Sequence, residues 1–305
     1  MNRLILMMFY GGLGGFLAWL LIEPWYSDEQ PLQQVSQAYE ALMGMLVGGC
    51  IGAGVGFASG LLMGTSRHIV RSTLISTLIG IPGGIIGIIL ANQLFGFLLE
   101  TIPNRFIALI IARTLGWALF GAFIGLAQGV IGRSARRLRN GLLGGVIGGG
   151  TGGAVFDAVS LLALPGIFLT QDQSNAGALP RAIGFTITGA GIGLFIGLIE
   201  LVARRAWVRV LYGRNEGKDY PIDRSGAVIG RDELADVPLR GDPTVAPKHA
   251  EVWIEANQQY LLVPHAETLV NGQLASGRVA LHDGDLLQVG GFQLQFMLKA
   301  GQVQR

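Results

Sequence analysis

GMLVGGCIGAGVGFASGLLMG, residues 44–64, decides how the first two thirds of the chain must be read. Gly44, Gly48, Gly52, Gly56, Gly60 and Gly64 recur at every fourth position, so a helix lines them up as a groove without side chains. The residues between them are apolar and uncharged. Lipid tails solvate leucine as well as a neighbouring helix does. Helices in a bilayer therefore associate by close backbone approach, which such a groove permits. Helix packing is the favoured role for these glycines, ahead of a sliding interface or a pore lining.

Five further stretches share this texture, giving six in all: 4–22, 41–63, 72–91, 114–131, 141–162 and 182–202. Each approaches the roughly 20 apolar residues that cross a hydrocarbon core about 30 Å thick. Arg67 and Arg71, the group Arg133, Arg136, Arg137 and Arg139, and the exit at Arg204, Arg205 and Arg209 fall on one side. Glu23, Asp28, Glu29, Glu40, Glu100 and Asp172 fall on the other. The positive-inside rule then places both termini in the cytoplasm of a multi-pass protein, in a bacterial inner membrane or a plasma membrane. The first stretch reads as a retained span rather than a cleaved signal.

The spans repeat. Arg3, Arg71 and Arg139 are 68 residues apart, as are Gly12, Gly80 and Gly148. Gly121, Gly125 and Gly129 recur 68 residues later as Gly189, Gly193 and Gly197. Three tandem helical hairpins are the economical reading. Exposed grooves of this kind could also join two copies of the bundle.

Ionisable residues at mid-bilayer would mark a transport path. By the repeat, Arg113 matches Arg181 and opens the fourth span; Asp157 falls near the outer rim; Glu200, one turn before Arg204, can pair with it. Ser59, Ser76, Thr77, Gln128, Thr186 and Thr188 can bond neighbouring helices or their own backbone. No charged conduit emerges. The apolar segment 92–112 reads as an interfacial or re-entrant piece.

Composition divides the chain at residue 207. Residues 1–206 hold 12 basic and 8 acidic residues and 37 glycines; residues 207–305 hold 10, 12 and 11. The second part breaks into alternating runs, 207–211, 252–254, 260–263, 286–289 and 293–298, separated by turn residues such as Asn271-Gly272, which predicts an all-β sandwich. The expected domains are thus 1–206, a glycine-rich six-helix membrane bundle, and 207–305, a β-sandwich. Almost no linker separates them, so the sandwich should touch the arginine-rich loops, with Asp232, Glu233 and Asp236 available to meet them. Cys50 stands alone, which excludes a disulfide scaffold or a cysteine-held metal; His68, His265 and His282 have no metal spacing. A net charge of +2 gives no case for nucleic acid. No cofactor is expected.

Val228-Ile229-Gly230-Arg231, Ala235-Asp236-Val237-Pro238-Leu239 and Val245-Ala246-Pro247-Lys248-His249-Ala250-Glu251-Val252 come first in this part. Thr268-Leu269-Val270-Asn271-Gly272 and Leu281-His282-Asp283-Gly284-Asp285-Leu286-Leu287-Gln288-Val289-Gly290 follow. In order and spacing these runs resemble a forkhead-associated (FHA) domain, over about residues 207–299. The resemblance implies an eleven-stranded sandwich whose loops at one end bind phosphothreonine peptides. It makes Arg231 and Lys248 the phosphopeptide contacts, with Gly230, His249, Asn271 and Gly272 shaping the loops. The chain departs from the family where Ala246 stands for the serine that holds the phosphate, where Pro247 stands for the basic residue after it, and where Ala266-Glu267 replaces an asparagine-glycine pair. Each lost charge-assisted donor costs about 1.5–3 kcal/mol. Trp207 and Trp253 read as core or interfacial aromatics, and the Arg133–Arg139 cluster as a topology signal with a secondary affinity for anionic lipid headgroups.

The functional expectation is a non-catalytic membrane protein presenting an FHA-like module to a cytoplasmic protein partner, with phosphothreonine as the implied mark. The alternative is a channel or transporter for a small neutral solute, regulated by that module. An enzyme is the weakest option, because no Ser/His/Asp, metal or Walker-type constellation occurs.

Overall fold

The computed structural model describes residues 3–25, 37–167, 178–255 and 257–299, with the side chains of 37, 105, 106, 109 and 156–167 outside the description. Asp28, Glu29, Asp172 and the side chain of Asp157 therefore lie outside the described residues. The chain forms two compact units. One contains Met1–Ser59, Arg71–Ile131 and Arg137–Leu201; the other contains Gly60–Val70, Gly132–Arg136 and Val202–Arg305.

The described residues form six α-helices, α1 (Arg3–Ile22), α2 (Gln37–Met63), α3 (Ser66–Thr101), α4 (Arg105–Gly132), α5 (Ala135–Ile167) and α6 (Ala178–Ala203), with a 3-10 turn at Glu23–Trp25 after α1. Among the described residues, α1, α2, α3, α4 and α6 are long and apolar enough to cross a membrane. The helix not counted, α5, opens on Arg136, Arg137 and Arg139 and continues through a run of glycines. At 1.5 Å per residue, the 36 residues of α3 reach about 54 Å. Segment 92–112 is therefore not a separate re-entrant piece. It is the end of α3, a short turn, and the start of α4, where Asn104 Oδ1 accepts from Ile107 N at 3.3 Å.

Three glycine seams organise the first unit. Gly44 and Gly48 of α2 meet the backbone of Gly84 and Gly80 of α3, and Gly52 meets Ser76. Gly121 and Gly125 of α4 meet Gly145 and Gly141 of α5; Gly189 and Gly193 of α6 meet Gly11 and Met7 of α1. In every seam four residues up one helix match four residues down its neighbour, the pattern of antiparallel ridges packed at backbone distance. Gly14 against Cys50, Gly83 against Phe123 and Gly148 against Ile192 join the remaining neighbours, so α1 to α6 form a ring that closes on itself. The even helices also meet across it: Ser59 Oγ donates to Gln128 Oε1 at 2.9 Å, and the Trp117 and Phe185 rings lie 5.8 Å apart.

Spacing alone misplaced several residues. Gly12 meets α6 and Gly80 meets α2, each the preceding even helix around the ring, whereas Gly148 meets α6, the following one, so the third is not equivalent to the first two. Gly56 lies against Ser72 and Ser76, Gly60 against Ile69, and Gly129 against Leu138, while Gly197 meets only side chains of Leu4 and Met7. Gly64 lies beyond α2 with φ +78°, ending the helix through bonds from its amide to the Gly60 and Leu61 carbonyls. Arg113 lies eight residues into α4 but only three past the start of its membrane-compatible stretch, Ile110–Gly132, so it does fall where that span opens. Glu200 pairs with Arg3, not Arg204, because Arg204 turns to Asp219 at 3.0 Å. Arg181 holds Glu23 through two bonds of 2.7 and 3.1 Å.

The described residues of the second unit form eleven strands: β1 (Ala206–Tyr212), β2 (Asp219–Pro221), β3 (Ala227–Gly230), β4 (Val237–Pro238), β5 (Ala250–Ile254), β6 (Tyr260–Pro264), β7 (Thr268–Val270), β8 (Gln273–Leu274), β9 (Val279–Leu281), β10 (Leu286–Val289) and β11 (Phe292–Leu298). One sheet runs β2-β1-β11-β10-β7-β8 and the other β4-β3-β5-β6-β9. Alternation decides what is buried. Phe292, Leu294, Phe296 and Leu298 of β11 point inward, and Phe296 and Leu294 pair with Val208 and Val210 of β1. Ile229, Val252 and Leu262 close the core from the other sheet.

The join is rigid. Only Arg204 and Arg205 separate α6 from β1, and the Arg205 and Ala206 carbonyls accept from Lys299 N (2.8 Å) and Ile222 N (3.0 Å). Arg204 also stacks 4.1 Å above the Trp207 ring, and Arg209 grips Asp219 at 2.7 and 3.1 Å. Burial works against the charge on Asp219, but the two guanidiniums outweigh it and hold this carboxyl below the usual range.

Candidate functional site

Strand β3 ends at Gly230, and a Cβ there would strike the Pro247 carbonyl. The missing side chain lets the β4–β5 loop lie against the strand end. Arg231 N donates to Ala246 O at 2.9 Å, Asp232 N to Pro247 O at 3.2 Å, and Leu239 N to Gly230 O at 2.8 Å. The Arg231 side chain is exposed and bonds to no other side chain among the described residues.

His249 braces the loops. It is only 2% exposed, and its Nδ1 accepts from Ala246 N at 3.1 Å. That acceptance leaves the proton on Nε2, which donates to Glu267 O at 2.8 Å. The backbone of His249 contributes too: its amide donates to Ile229 O, and its carbonyl accepts from His265 and Ala266. One imidazole thus ties the β4–β5 loop to the β6–β7 loop.

Lys248 is differently placed. It pairs with Glu251 at 2.7 Å, and Glu251 also accepts from His265 Nε2 and Trp253 Nε1, each at 3.2 Å. Partial burial raises the Glu251 pKa, but these donors prevail and leave it below normal. The ammonium assigned to a phosphate is therefore neutralised in the resting structure.

Asn271 and Gly272, with φ of 52° and 80°, form the β7–β8 hairpin turn, whose two positive φ angles suit this pair. Asn271 Oδ1 accepts from Leu286 N at 2.9 Å and its Nδ2 donates to Asp285 Oδ1 at 2.8 Å. It is a turn residue, as its sequence position implies. Asn271→Ala is expected to lower the thermal stability of the β unit by about 1–2 kcal/mol, measured by calorimetry of the full chain.

Three carboxylates organise the same end, of which Asp242 alone was not singled out by the sequence. Asp236 accepts from Arg224 at 3.0 and 2.6 Å and from Val228 N at 2.8 Å. Glu233 meets Arg240 at 3.0 Å. Asp242 accepts from the Thr244 hydroxyl at 2.6 Å, Gly291 N at 2.6 Å and Thr244 N at 2.9 Å, an arrangement that holds its carboxyl below the usual range. Of these partners only Gly291 comes from a loop distant in sequence. An open hollow of about 460 Å³ adjoins Glu267, lined by Pro264, His265, Ala266, Leu274, Ala275 and Gly277.

The FHA domain model matches residues 227–290, the stretch containing all these loops. The sandwich is similar to an FHA domain studied for phosphothreonine-dependent interactions, at 23% identity over 31% of this chain and 97% of that one, TM-score 0.28. It is also similar to the FHA domain of the Chlamydia trachomatis protein CT664, at 22% identity over 32% and 99%, TM-score 0.29. A third likeness is to the N-terminal FHA domain of S. cerevisiae Rad53p in complex with a phosphothreonine peptide, at 21% identity over 31% and 94%, TM-score 0.29. No curated protein matches the chain.

Proposed function

We propose that this chain is a non-catalytic, multi-pass membrane protein whose FHA module binds a protein partner phosphorylated on threonine at the cytoplasmic face. The observation that carries the binding half is the exposed guanidinium of Arg231, at the end of a strand whose neighbouring loop is locked by His249. A planar, permanently charged donor on a fixed loop suits a phosphate dianion. Ala246 supplies no hydroxyl and Glu267 opposes a second charge, so affinity rests on Arg231 more heavily than the family pattern implies.

The membrane half is supported by what faces outward. Phe9, Leu78 and Phe97 are 59%, 68% and 63% exposed, a surface that water would penalise and lipid would not. Equal four-residue steps in the three seams support three tandem hairpins and six crossings. The Ser59–Gln128 and Trp117–Phe185 contacts fill the space between even helices, which favours a scaffold over a conduit.

The test uses the full chain in lipid nanodiscs with a degenerate phosphothreonine peptide library and its unphosphorylated counterpart. Preferential binding of the phosphorylated set is expected. Arg231→Ala should weaken it about tenfold or more, the effect of one charge-assisted contact. Equal binding of both sets would remove the phosphate from the proposal.

A further inference from the structure

The turns that follow α2 and α4 cluster with the β strands rather than with the helices. They share a design. A residue in the left-handed region, Gly64 (φ 78°) or Arg133 (φ 48°), ends the helix, and the next residue carries a hydroxyl. Thr65 Oγ1 donates to Glu233 O at 2.9 Å, and Ser134 Oγ donates to Asp223 O at 2.9 Å. Both hydroxyl residues are buried, Thr65 at 1% and Ser134 at 8% exposure, where a polar group must be bonded.

The first turn acts on the loop that bears Arg231. Besides Thr65, His68 is buried, with Nε2 at 3.2 Å from Ala235 O, and the Arg67 guanidinium approaches the Glu233 carboxylate at 3.7 Å. Thr65 also caps α3 by accepting from His68 N at 3.3 Å, which fixes the orientation of both side chains. Backbone carbonyls two and four residues beyond Arg231 are thereby held by one turn. The second turn grips Asp223, next to the Arg224 that clamps Asp236 at the far end of the same loop.

We propose that Thr65 and His68 are positioning residues for the Arg231 loop, setting its conformation and hence its hold on a phosphothreonine partner; this rests on Arg231 being the phosphate contact. Linkage makes the coupling reciprocal: a ligand that tightens the loop tightens the turn. An isolated 207–305 fragment would lack this support.

The experiment is amide hydrogen exchange on the full chain in nanodiscs, with binding of the phosphothreonine library measured in parallel. Thr65→Val removes the hydroxyl at nearly constant shape and should speed exchange in residues 231–237 by roughly tenfold, whereas Thr65→Ser should restore it. Ser134→Ala is the control for general loosening, because its effect should centre on residues 222–226. Library affinity should fall severalfold in Thr65→Val and recover in Thr65→Ser. Should Thr65→Val leave exchange in 231–237 at the wild-type rate, the positioning role is overturned. Should exchange rise while the wild-type chain binds no phosphopeptide, positioning of the loop stands and the phosphothreonine reading falls.

Discussion

Gly121→Leu is expected to prevent the helical unit from assembling, while Gly197→Ala leaves it intact. A Cβ at Gly121 would overlap the Gly145 carbonyl oxygen and stand 2.7 Å from its carbon and 3.2 Å from Gly149 N. Those are backbone atoms of α5, so no rotamer change relieves the clash. Separating α4 from α5 would also break the contact of Gly125 with Gly141 one turn away. Overpacking a core that can adjust costs about 1–3 kcal/mol, and a backbone seam should exceed the upper figure. At Gly197 the nearest atoms are the Leu4 Cδ2 and Met7 Cγ at 3.4 Å, an ordinary contact that an added methyl can accept. Size-exclusion profile and thermal midpoint in detergent would report both variants. A monodisperse Gly121→Leu protein melting with the wild type would show that this seam does not hold the two helices together.

The contrast between those two glycines marks how far the sequence could be read. Four-residue spacing reveals that a helix has a bare face, because the period belongs to the helix itself. It does not reveal which neighbour lies on that face. Gly197 continues the series of Gly189 and Gly193, yet it opposes flexible side chains, because α1 presents Leu4 and Met7 at that level. Gly64 continues the series of Gly44 to Gly60 and adopts a left-handed conformation that ends the helix. Glu200 has an arginine four residues on but pairs instead with Arg3, nearly two hundred residues away in sequence. In the β unit more was legible, since strand alternation and turn chemistry are local. The runs predicted at 207–211, 260–263, 286–289 and 293–298 fall within or along β1, β6, β10 and β11. The expectation that Glu233 meets the basic loops agrees with its contacts to Thr65 and Arg67, whereas Asp236 is taken by Arg224. The hydroxyls of Thr65 and Ser134 left no signal, because the carbonyls of Glu233 and Asp223 are brought to them only by the tertiary fold.

His249→Ala should have the largest effect of any single change at the candidate site, although the residue touches no ligand in the proposed mechanism. Its two ring nitrogens satisfy the Ala246 amide and the Glu267 carbonyl in a place only 2% exposed. Alanine leaves both groups without their partner and opens a void the size of the ring. Unsatisfied buried groups cost about 1–3 kcal/mol each, and the void adds to this, so a loss of about 3 kcal/mol is expected. Exchange at residues 242–250 and 264–270 should then accelerate by roughly a hundredfold, if opening of these loops limits it. Phosphopeptide affinity should fall as well, despite an intact Arg231, because a guanidinium on a loose loop must be ordered on binding. Unchanged exchange would remove the brace from the argument. His249→Asn separates brace from ligand contact: its carbonyl can still accept from Ala246 N but it cannot reach Glu267, so residues 264–270 should loosen more than residues 242–250. A phosphate contact at His249 would instead weaken binding in both variants with no such asymmetry in exchange.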